Sequence, residues 1–181
     1  MKQGLVIVDV QNDYFLGGKM ELVGMDKAAA NCAMLLDSFR DNGAPIFHIQ
    51  HIANSEGASF FIADTRGSEI NEAVMPLDDE VVVVKHLPSA FRETNLNELL
   101  QDGGVGEVVI CGAMTHMCID SSTRAAFDLG YRCRVISDAC ATRNLEFNGR
   151  LIEAVDVHAS FMAALGAPFA QISATGQYLS S

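Results

Sequence analysis

The sequence predicts an α/β fold in which a parallel sheet of six strands carries helices on both faces. Strand-like and helix-like segments alternate along the whole chain, which is typical of parallel sheets joined by helical crossovers. Nearly all the strand-like segments are continuously apolar, as expected for strands covered on both sides. The predicted strands are residues 5–10, 45–50, 81–84, 108–111, 132–137 and 170–173. No linker, repeat or low-complexity segment interrupts this pattern, so residues 1–181 are expected to form a single domain.

Three of the four predicted helices end at a recognisable stop signal. The predicted helices are residues 28–40, 95–101, 118–129 and 149–165. The first ends at Asp41-Asn-Gly43, the second at Gly103-Gly104 and the third at Gly130, all of which favour helix termination. Residues 53–70, rich in glycine, serine and charged side chains, are predicted to form mostly a long surface loop. Asp138 and Thr142, after the fifth strand, are expected to cap a loop.

Charge and hydropathy exclude several classes of partner. The net charge of −11 argues against binding to nucleic acid or to an anionic membrane, because both would repel the protein. No apolar run approaches the roughly 18 residues that a membrane span needs. The N-terminus enters a strand directly and shows no signal peptide, so a cytoplasmic location and a small-molecule partner are expected.

The five cysteines form an odd set without a zinc-like pair and are expected to be free thiols. Most are expected to be small buried hydrophobic residues. Cys118 differs, because it follows an apolar strand and a tight turn and lies where a helix is predicted to begin. Unpaired backbone N–H groups and the helix dipole favour a thiolate at such a position. Cys118 is therefore a candidate nucleophile, the alternative being a buried structural thiol.

Three chemically complementary residues lie at strand ends: Asp9 on the first strand, Lys85 just past the third and Cys118 just past the fourth. The carboxyl ends of neighbouring parallel strands meet at one crevice, so these side chains are expected to converge. An acid in an apolar strand is costly unless it is paired, which predicts an Asp9–Lys85 ion pair in a structural or a catalytic role. In a catalytic role the carboxylate takes the thiol proton, the ammonium stabilises the thiolate, and the thiolate attacks a carbonyl.

Three segments, in order and spacing, resemble the isochorismatase-like cysteine hydrolases. The first is LVIVDVQNDYF at residues 5–15, and the second is Lys85 followed by Ser89-Ala-Phe91. The third is GAMTHMC at residues 112–118 with TRAA at 123–126. The resemblance covers essentially the whole chain. It implies a three-layer α/β/α architecture around a Rossmann-like, six-stranded, mainly parallel sheet.

The resemblance also implies a function and a set of site residues. It implies a hydrolase that cleaves a C–N bond of a small molecule (an amide, imide, ureide or N-carbamoyl compound) through a thioester. The implied triad is Asp9, Lys85 and Cys118. The backbone N–H groups of Met114 and Cys118 would bind the oxyanion, beside a cis peptide bond between Ala113 and Met114. The family further suggests a homo-oligomer, a dimer or higher, in which a neighbour helps close the pocket, and no cofactor is expected.

Further residues are candidates for substrate contact: Phe15, His51, Phe91 and His116. Nicotinamidase-like members of the superfamily bind a metal through an Asp-x-His element, but here the corresponding segment is His48-Ile-Gln-His51 without such an acid. Alternate strand residues face opposite sides of a sheet, so His48 is expected to be structural and His51 to line the pocket. No metal is therefore expected.

The adjacent aromatic residues Phe60 and Phe61 lie on the polar loop and are expected to find cover over the active site or in a subunit interface. Two other functions remain open. Isochorismatase itself hydrolyses a vinyl ether with the acid and the lysine but without the cysteine, so Cys118 argues against that reaction. The fold could instead serve as a binding or redox-responsive module whose thiol is oxidised.

Overall fold

The computed structural model describes residues 1–180 and contains a six-stranded parallel sheet with helices on both faces. Its strands are β1 (Gln3–Val8), β2 (Ile46–His51), β3 (Val81–Lys85), β4 (Glu107–Ala113), β5 (Arg132–Ala141), β6 (Leu145–Phe147), β7 (Arg150–Ile152) and β8 (Gln171–Ser173). The helices are α1 (Met25–Asp41), α2 (Leu96–Asp102), α3 (Asp120–Asp128), α4 (Ala154–Leu165) and α5 (Thr175–Leu179). Single turns of 3₁₀-helix cover Asn12–Tyr14, Arg66–Ser68 and Glu72–Val74, and a π-helical turn covers Thr115–Ile119. The predicted fold class is confirmed.

The strand order in the sheet is β3-β2-β1-β4-β5-β8. The chain runs outward from β1 through β2 to β3, then crosses back to place β4 on the other side of β1. This reversal between β1 and β4 is a topological switch point, where open α/β sheets form a crevice outside the carboxyl ends of the strands. Among residues 1–180, no helix is both long and apolar enough to cross a bilayer.

The continuous apolar character of the strands follows from the two helical layers. Leu5 and Ile7 of β1 face the core beneath α1, whereas Val6 and Val8 face the core beneath α2 and α3. Both sets are at most 2% exposed. Because alternate side chains enter opposite cores, a strand in this sheet needs an apolar residue at every position.

Gly112 allows β4 to pass close to β1 at the sheet centre. Its φ of +118° lies in the region that favours glycine, and a Cβ at this position would be 2.0 Å from the carbonyl oxygen of Val8. Val8 and Gly112 are register partners in the sheet, and Asp9 follows Val8 directly. Gly112 therefore fixes the backbone immediately beside one of the candidate site residues.

The C-terminal third differs from the sequence prediction. The predicted helix 149–165 is wrong at its beginning, because residues 145–152 form the antiparallel β6–β7 hairpin and α4 starts only at Ala154. Strand β5 continues to Ala141, so Asp138 lies within a strand and not after it. Its carboxylate accepts hydrogen bonds from the N–H and the hydroxyl of Thr175, at 2.7 and 2.8 Å, and so caps the start of α5.

Candidate active site

The structure brings Asp9, Lys85 and Cys118 together at the carboxyl edge of the sheet. Asp9 lies one residue beyond β1 with a φ of 50°, so the prediction that it lies within the strand is wrong by one position. Lys85 is the last residue of β3, and Cys118 lies in the π-helical turn between β4 and α3. The Lys85 Nζ atom is 2.8 Å from Asp9 Oδ2 and donates to Cys118 Sγ at 3.3 Å. Asp9 and Lys85 are completely buried, and Cys118 is 4% exposed.

The Lys85 ammonium group has four partners. Besides Asp9 and Cys118, it lies 2.8 Å from His51 Nδ1 and donates to the carbonyl oxygen of Leu87 at 3.1 Å. An ammonium group has only three protons, so the four acceptors around it outnumber the hydrogen bonds that it can donate. Burial alone would lower the pKa of Lys85, but the charge of Asp9, with which it pairs, raises it above its ordinary value. Lys85 is therefore a permanent cation at the centre of the cluster.

Asp9 is the least satisfied member of the cluster. Its Oδ2 pairs with Lys85 by charge, yet neither carboxylate oxygen accepts a hydrogen bond of good geometry from residues 1–180. A buried acceptor without a partner costs about 1–3 kcal/mol, so such groups are rare in folded proteins. The carboxylate retains the capacity to accept a proton from a neighbouring group.

Cys118 is held as a neutral thiol in the resting protein. Burial raises its pKa first, and the charge of Asp9 raises it further, outweighing the opposing effect of Lys85. The expectation of a stabilised thiolate at a helix start is therefore wrong for the resting state. The start of a helix favours a thiolate, but here burial of the thiol beside a carboxylate acts in the opposite direction and outweighs it.

The turn before Cys118 has an unusual backbone. The peptide bond between Ala113 and Met114 is cis. The carbonyl oxygen of Met114 accepts hydrogen bonds from the N–H groups of Met117 and Ile119, at 3.0 and 3.2 Å, and is thereby turned into the helix. The backbone N–H groups of Met114 and Cys118, the predicted oxyanion donors, belong to this turn.

His51 lies beside Lys85 and is neutral. The side-chain amide of Gln11 clamps its backbone, accepting from the N–H and donating to the carbonyl oxygen, both at 2.8 Å. Burial, and then the charge of Lys85, lowers the pKa of His51 to about 4. A neutral imidazole accepts one proton of Lys85 without adding charge.

Asp9, His51 and Cys118 are all of residue types that can bind a metal ion. Ligand atoms of Asp9, His51 and Cys118 lie within 4.8 Å of one another, which is close enough to hold an ion. However, Lys85 Nζ contacts all three, at 2.8, 2.8 and 3.3 Å. A cation could bind there only by displacing a buried ammonium group, so these residues do not fit a metal centre.

The other histidines and Phe91 lie around the cluster of Asp9, Lys85 and Cys118. His48 points to the opposite face from His51, and its Nε2 lies 2.9 Å from Glu80. His116 Nδ1 lies 2.6 Å from the hydroxyl of Thr142. Phe91 packs near Tyr131, with 6.3 Å between ring centroids, against the core beneath α2 and α3.

The loop after β2 covers the site from within the same chain. Phe61 is completely buried, with its ring 4.6 Å from that of Tyr14 and 5.7 Å from that of His51. Its N–H donates to Asp13 Oδ2 at 2.7 Å, and Asp13 Oδ1 accepts from the N–H of Lys19 at 3.1 Å. Asp13 thus joins two loops. Sequence reasoning missed this role, because its partners lie 6 and 48 residues away and leave no local signal.

Outside this centre, a cavity of about 600 Å³ lies between the two loops that Asp13 joins. Phe15 and Phe60 are among the side chains that line it. Phe60 is only partly buried, unlike its neighbour Phe61.

Comparison with known proteins places the chain in a family of hydrolases. The isochorismatase domain model matches residues 3–167, and the chain belongs to the isochorismatase family. It is 49% identical over 179 residues to YddQ, an uncharacterized isochorismatase family protein of Bacillus subtilis, with 99% of each chain covered. The crystal structure of a protein from Oleispira antarctica, assigned to the isochorismatase hydrolases, superposes with a TM-score of 0.96 at 44% identity. That match covers 99% of this chain and 97% of the other.

Some of the relatives carry named activities. A streptothricin hydrolase of Streptomyces noursei is 33% identical over 143 residues, which are 79% of this chain and 56% of the relative. Nicotinamidase 3 of Arabidopsis thaliana is 28% identical over 169 residues, which are 87% of this chain and 80% of the relative. The family thus includes amidohydrolases, and the protein is a hydrolase of this family.

Proposed function

We propose that the protein hydrolyses a C–N bond in a small molecule, with Cys118 as nucleophile and Asp9 as general base. Lys85 is the cation that contacts both residues and stabilises their negative charge. One observation carries the proposal: a single buried ammonium contacts both the carboxylate and the thiol. A structural ion pair has no need of a thiol. The streptothricin hydrolase and the nicotinamidase among the relatives support this class of reaction.

In the first half of the reaction, Asp9 takes the proton of the Cys118 thiol as the sulfur attacks the substrate carbonyl. Negative charge moves from the carboxylate to the sulfur and then to the carbonyl oxygen. Lys85 can stabilise it at each stage, because its ammonium group already contacts both groups. The backbone N–H groups of Met114 and Cys118 would bind the oxyanion. When the tetrahedral intermediate collapses, Asp9 returns the proton to the leaving nitrogen, and an amine or ammonia departs.

In the second half, water hydrolyses the thioester. Asp9, again ionised, takes a proton from the water as its oxygen attacks the thioester carbonyl. Collapse of the second tetrahedral intermediate releases the carboxylic acid, and the proton on Asp9 returns to the Cys118 sulfur. A thiol that is neutral at rest suits this cycle, because the proton that activates the leaving group starts on Cys118.

Release of ammonia or amine from a panel of amides, imides, ureides and N-carbamoyl compounds tests the proposal. Wild type and Cys118→Ala should be compared with and without a chelator. We expect wild-type turnover that the chelator leaves unchanged, and a loss of at least about a thousandfold in Cys118→Ala. Circular dichroism should show that the variant remains folded. Undiminished turnover in Cys118→Ala would contradict the assignment of the nucleophile, and turnover of vinyl ethers alone would contradict the reaction.

A further inference from the structure

The β6–β7 hairpin carries large apolar side chains that the chain itself leaves uncovered. It forms a two-stranded sheet of its own, separate from the six-stranded sheet. Phe147 is 69% exposed and Leu151 is 57% exposed. Phe147 lies opposite Arg150, and Leu151 lies opposite Glu146. Each face of the hairpin therefore carries one exposed apolar side chain. An isolated two-stranded hairpin is at best marginally stable in water, so this one is expected to pack against another surface.

The helix that follows the hairpin, α4, has an outer face with a single charge. Its exposed residues are Val155, Asp156, Ala159, Ser160, Ala163 and Ala164. Val155 is 71% exposed. In α1, by contrast, four of the six exposed residues are charged: Asp26, Lys27, Ala30, Met34, Asp37 and Asp41. The solvent face of a helix is ordinarily polar, so the outer face of α4 has the composition of a surface that another element covers.

A groove beside the start of α4 complements these projecting side chains. Its volume is about 230 Å³, and most of its lining is apolar, including Val23, Cys140, Ala154 and Val155. Val23 is 62% exposed. Val155 belongs both to this groove and to the outer face of α4, so the two surfaces are continuous. One side of the molecule thus presents exposed apolar side chains and an apolar recess next to each other.

The charges of the same segment indicate which partner fits it. Residues 143–153 contain two arginines and two glutamates, so their formal charge is zero in a chain of net charge −11. These four residues are Arg143, Glu146, Arg150 and Glu153. All are exposed, and none forms an ion pair with residues 1–180. Two copies of the chain repel each other over most of their surface, whereas a neutral segment with charges of both signs can pair with its own copy.

We propose that the β6–β7 hairpin and the outer face of α4 form the interface of a symmetric homodimer, in which Phe147 of each copy packs into the groove of the other. In a two-fold interface the same patch serves both subunits, so the projecting side chain and the recess must lie on one surface, as they do here. Arg150 of each copy pairs with the glutamates of the other. Leu151 and Val155 are covered by the same contact.

This interface lies one helix away from the candidate nucleophile. His158 of α4 has its Nδ1 atom 3.0 Å from the hydroxyl of Thr115, and the ring of Phe161 lies 6.1 Å from that of His116. Thr115, His116 and Cys118 belong to the same π-helical turn. A second copy on the outer face of α4 therefore packs on the helix whose inner side contacts the turn that carries the thiol.

Sedimentation velocity tests the interface directly. At micromolar concentration, wild type should sediment as a particle of twice the 19.5 kDa of one chain. Phe147→Asp and Val155→Asp each place a charge in the apolar contact and should weaken dimerisation at least about 30-fold, as expected for residues that dominate an interface. Met34→Asp is the matched control, because Met34 is 50% exposed and lies on α1, outside the proposed interface. Circular dichroism shows whether each variant is folded.

The outcomes of this experiment are distinct. A wild type that remains monomeric at the highest concentration measured would overturn the proposal, because the apolar face would then bind another partner. A dimer that Phe147→Asp and Val155→Asp leave intact, or that Met34→Asp disrupts equally, would also overturn it. A larger assembly that both variants divide into smaller particles supports the interface.

An exchange of charges tests whether the partner is a second copy related by two-fold symmetry. Arg150→Glu, and separately Glu146→Arg combined with Glu153→Arg, each bring like charges together and should weaken dimerisation at least about tenfold. An equimolar mixture of the two variants restores opposite charges at both contacts of a mixed dimer. Its affinity should return to within about threefold of wild type, measured with a fluorescent label on one variant. A mixture that dimerises no better than either variant alone would contradict the symmetric pairing.

Discussion

Two clusters of charged and polar side chains are built on neighbouring strands of the sheet, and they differ in how completely their carboxylates are satisfied. In the first, Glu80 accepts from Arg40 at 2.7 and 2.8 Å, lies 2.9 Å from His48, and accepts from the N–H of Leu77 at 3.0 Å. Both oxygens of Glu80 are occupied. The hydrogen bond from Arg40 is the largest cause that lowers its pKa to about 2.

In the second cluster, Asp9 is completely buried and paired with Lys85, yet its oxygens accept no hydrogen bond of good geometry within residues 1–180. A thiol with a raised pKa lies beside it. The contacts of Glu80 favour one charge state, whereas the proposed reaction requires Asp9 to accept and release a proton. The difference between the two carboxylates therefore supports a structural role for Glu80 and the proposed catalytic role for Asp9.

The largest expected effect on turnover and stability comes from removing the charge of Asp9. Asp9→Asn should lower turnover at least about a thousandfold, within the range attributed to a general base. It should also lower the free energy of unfolding by about 3–5 kcal/mol, because Lys85 is left as an unpaired buried charge. Turnover is measured by ammonia release and stability by urea denaturation.

A double variant separates these two effects. Asp9→Asn combined with Lys85→Met removes both charges and should recover most of the lost stability, since a buried ion pair can be replaced by apolar groups at little cost. It should remain inactive. A double variant that regains turnover would show that Asp9 acts only as the structural partner of Lys85.

An intermediate effect, on stability alone, is expected for the cluster around Glu80. Glu80→Gln should lower the free energy of unfolding by about 1–3 kcal/mol, the usual range for losing charged hydrogen bonds, and leave kcat/KM unchanged. The folded pKa of Glu80, about 2, lies below its ordinary value of 4.5, so the stabilisation is present above pH 4.5. It is lost as the pH falls toward 2. Denaturation curves of wild type and variant should therefore differ at pH 6 and converge near pH 2, and a constant difference would contradict this assignment.

The smallest effect is expected at the loops that Asp13 joins. A Cβ at Gly67 would lie 2.3 Å from Asp13 Oδ1, so Gly67→Ala must displace the carboxylate that holds Phe61 and Lys19. We expect a loss of about 1 kcal/mol, as for mild overpacking, and a KM that rises more than kcat falls. Gly176→Ala is the control, because a Cβ there meets nothing within 4 Å. An unchanged KM in Gly67→Ala would show that this junction does not shape the substrate pocket.

The sheet was predictable because burial on both faces leaves a strong local signal, a continuous apolar run. The sequence analysis does not predict the β6–β7 hairpin, although its turn, Asn148-Gly149, is a strong hairpin signal. Both residues have positive φ values, 52° and 73°. The predicted helix 149–165 begins within this hairpin, and its true start at Ala154 depends on the pairing of β6 with β7.

The proposed triad of Asp9, Lys85 and Cys118 can be predicted from strand ends and from the family resemblance. The protonation states of these residues cannot be predicted in this way. The resting thiol of Cys118 depends on burial and on a carboxylate more than 100 residues away in the chain.

The most direct test of the account is to identify the covalent intermediate. Wild-type protein is mixed with a substrate found in the amide panel, quenched in acid within one turnover, digested and analysed by mass spectrometry. The account predicts an acyl group on the peptide that carries Cys118, absent from Cys118→Ala and accumulating no further once the substrate is exhausted. Rapid turnover with the acyl group on another residue, or with isotopic oxygen from water entering the product without any acyl-enzyme, would contradict it.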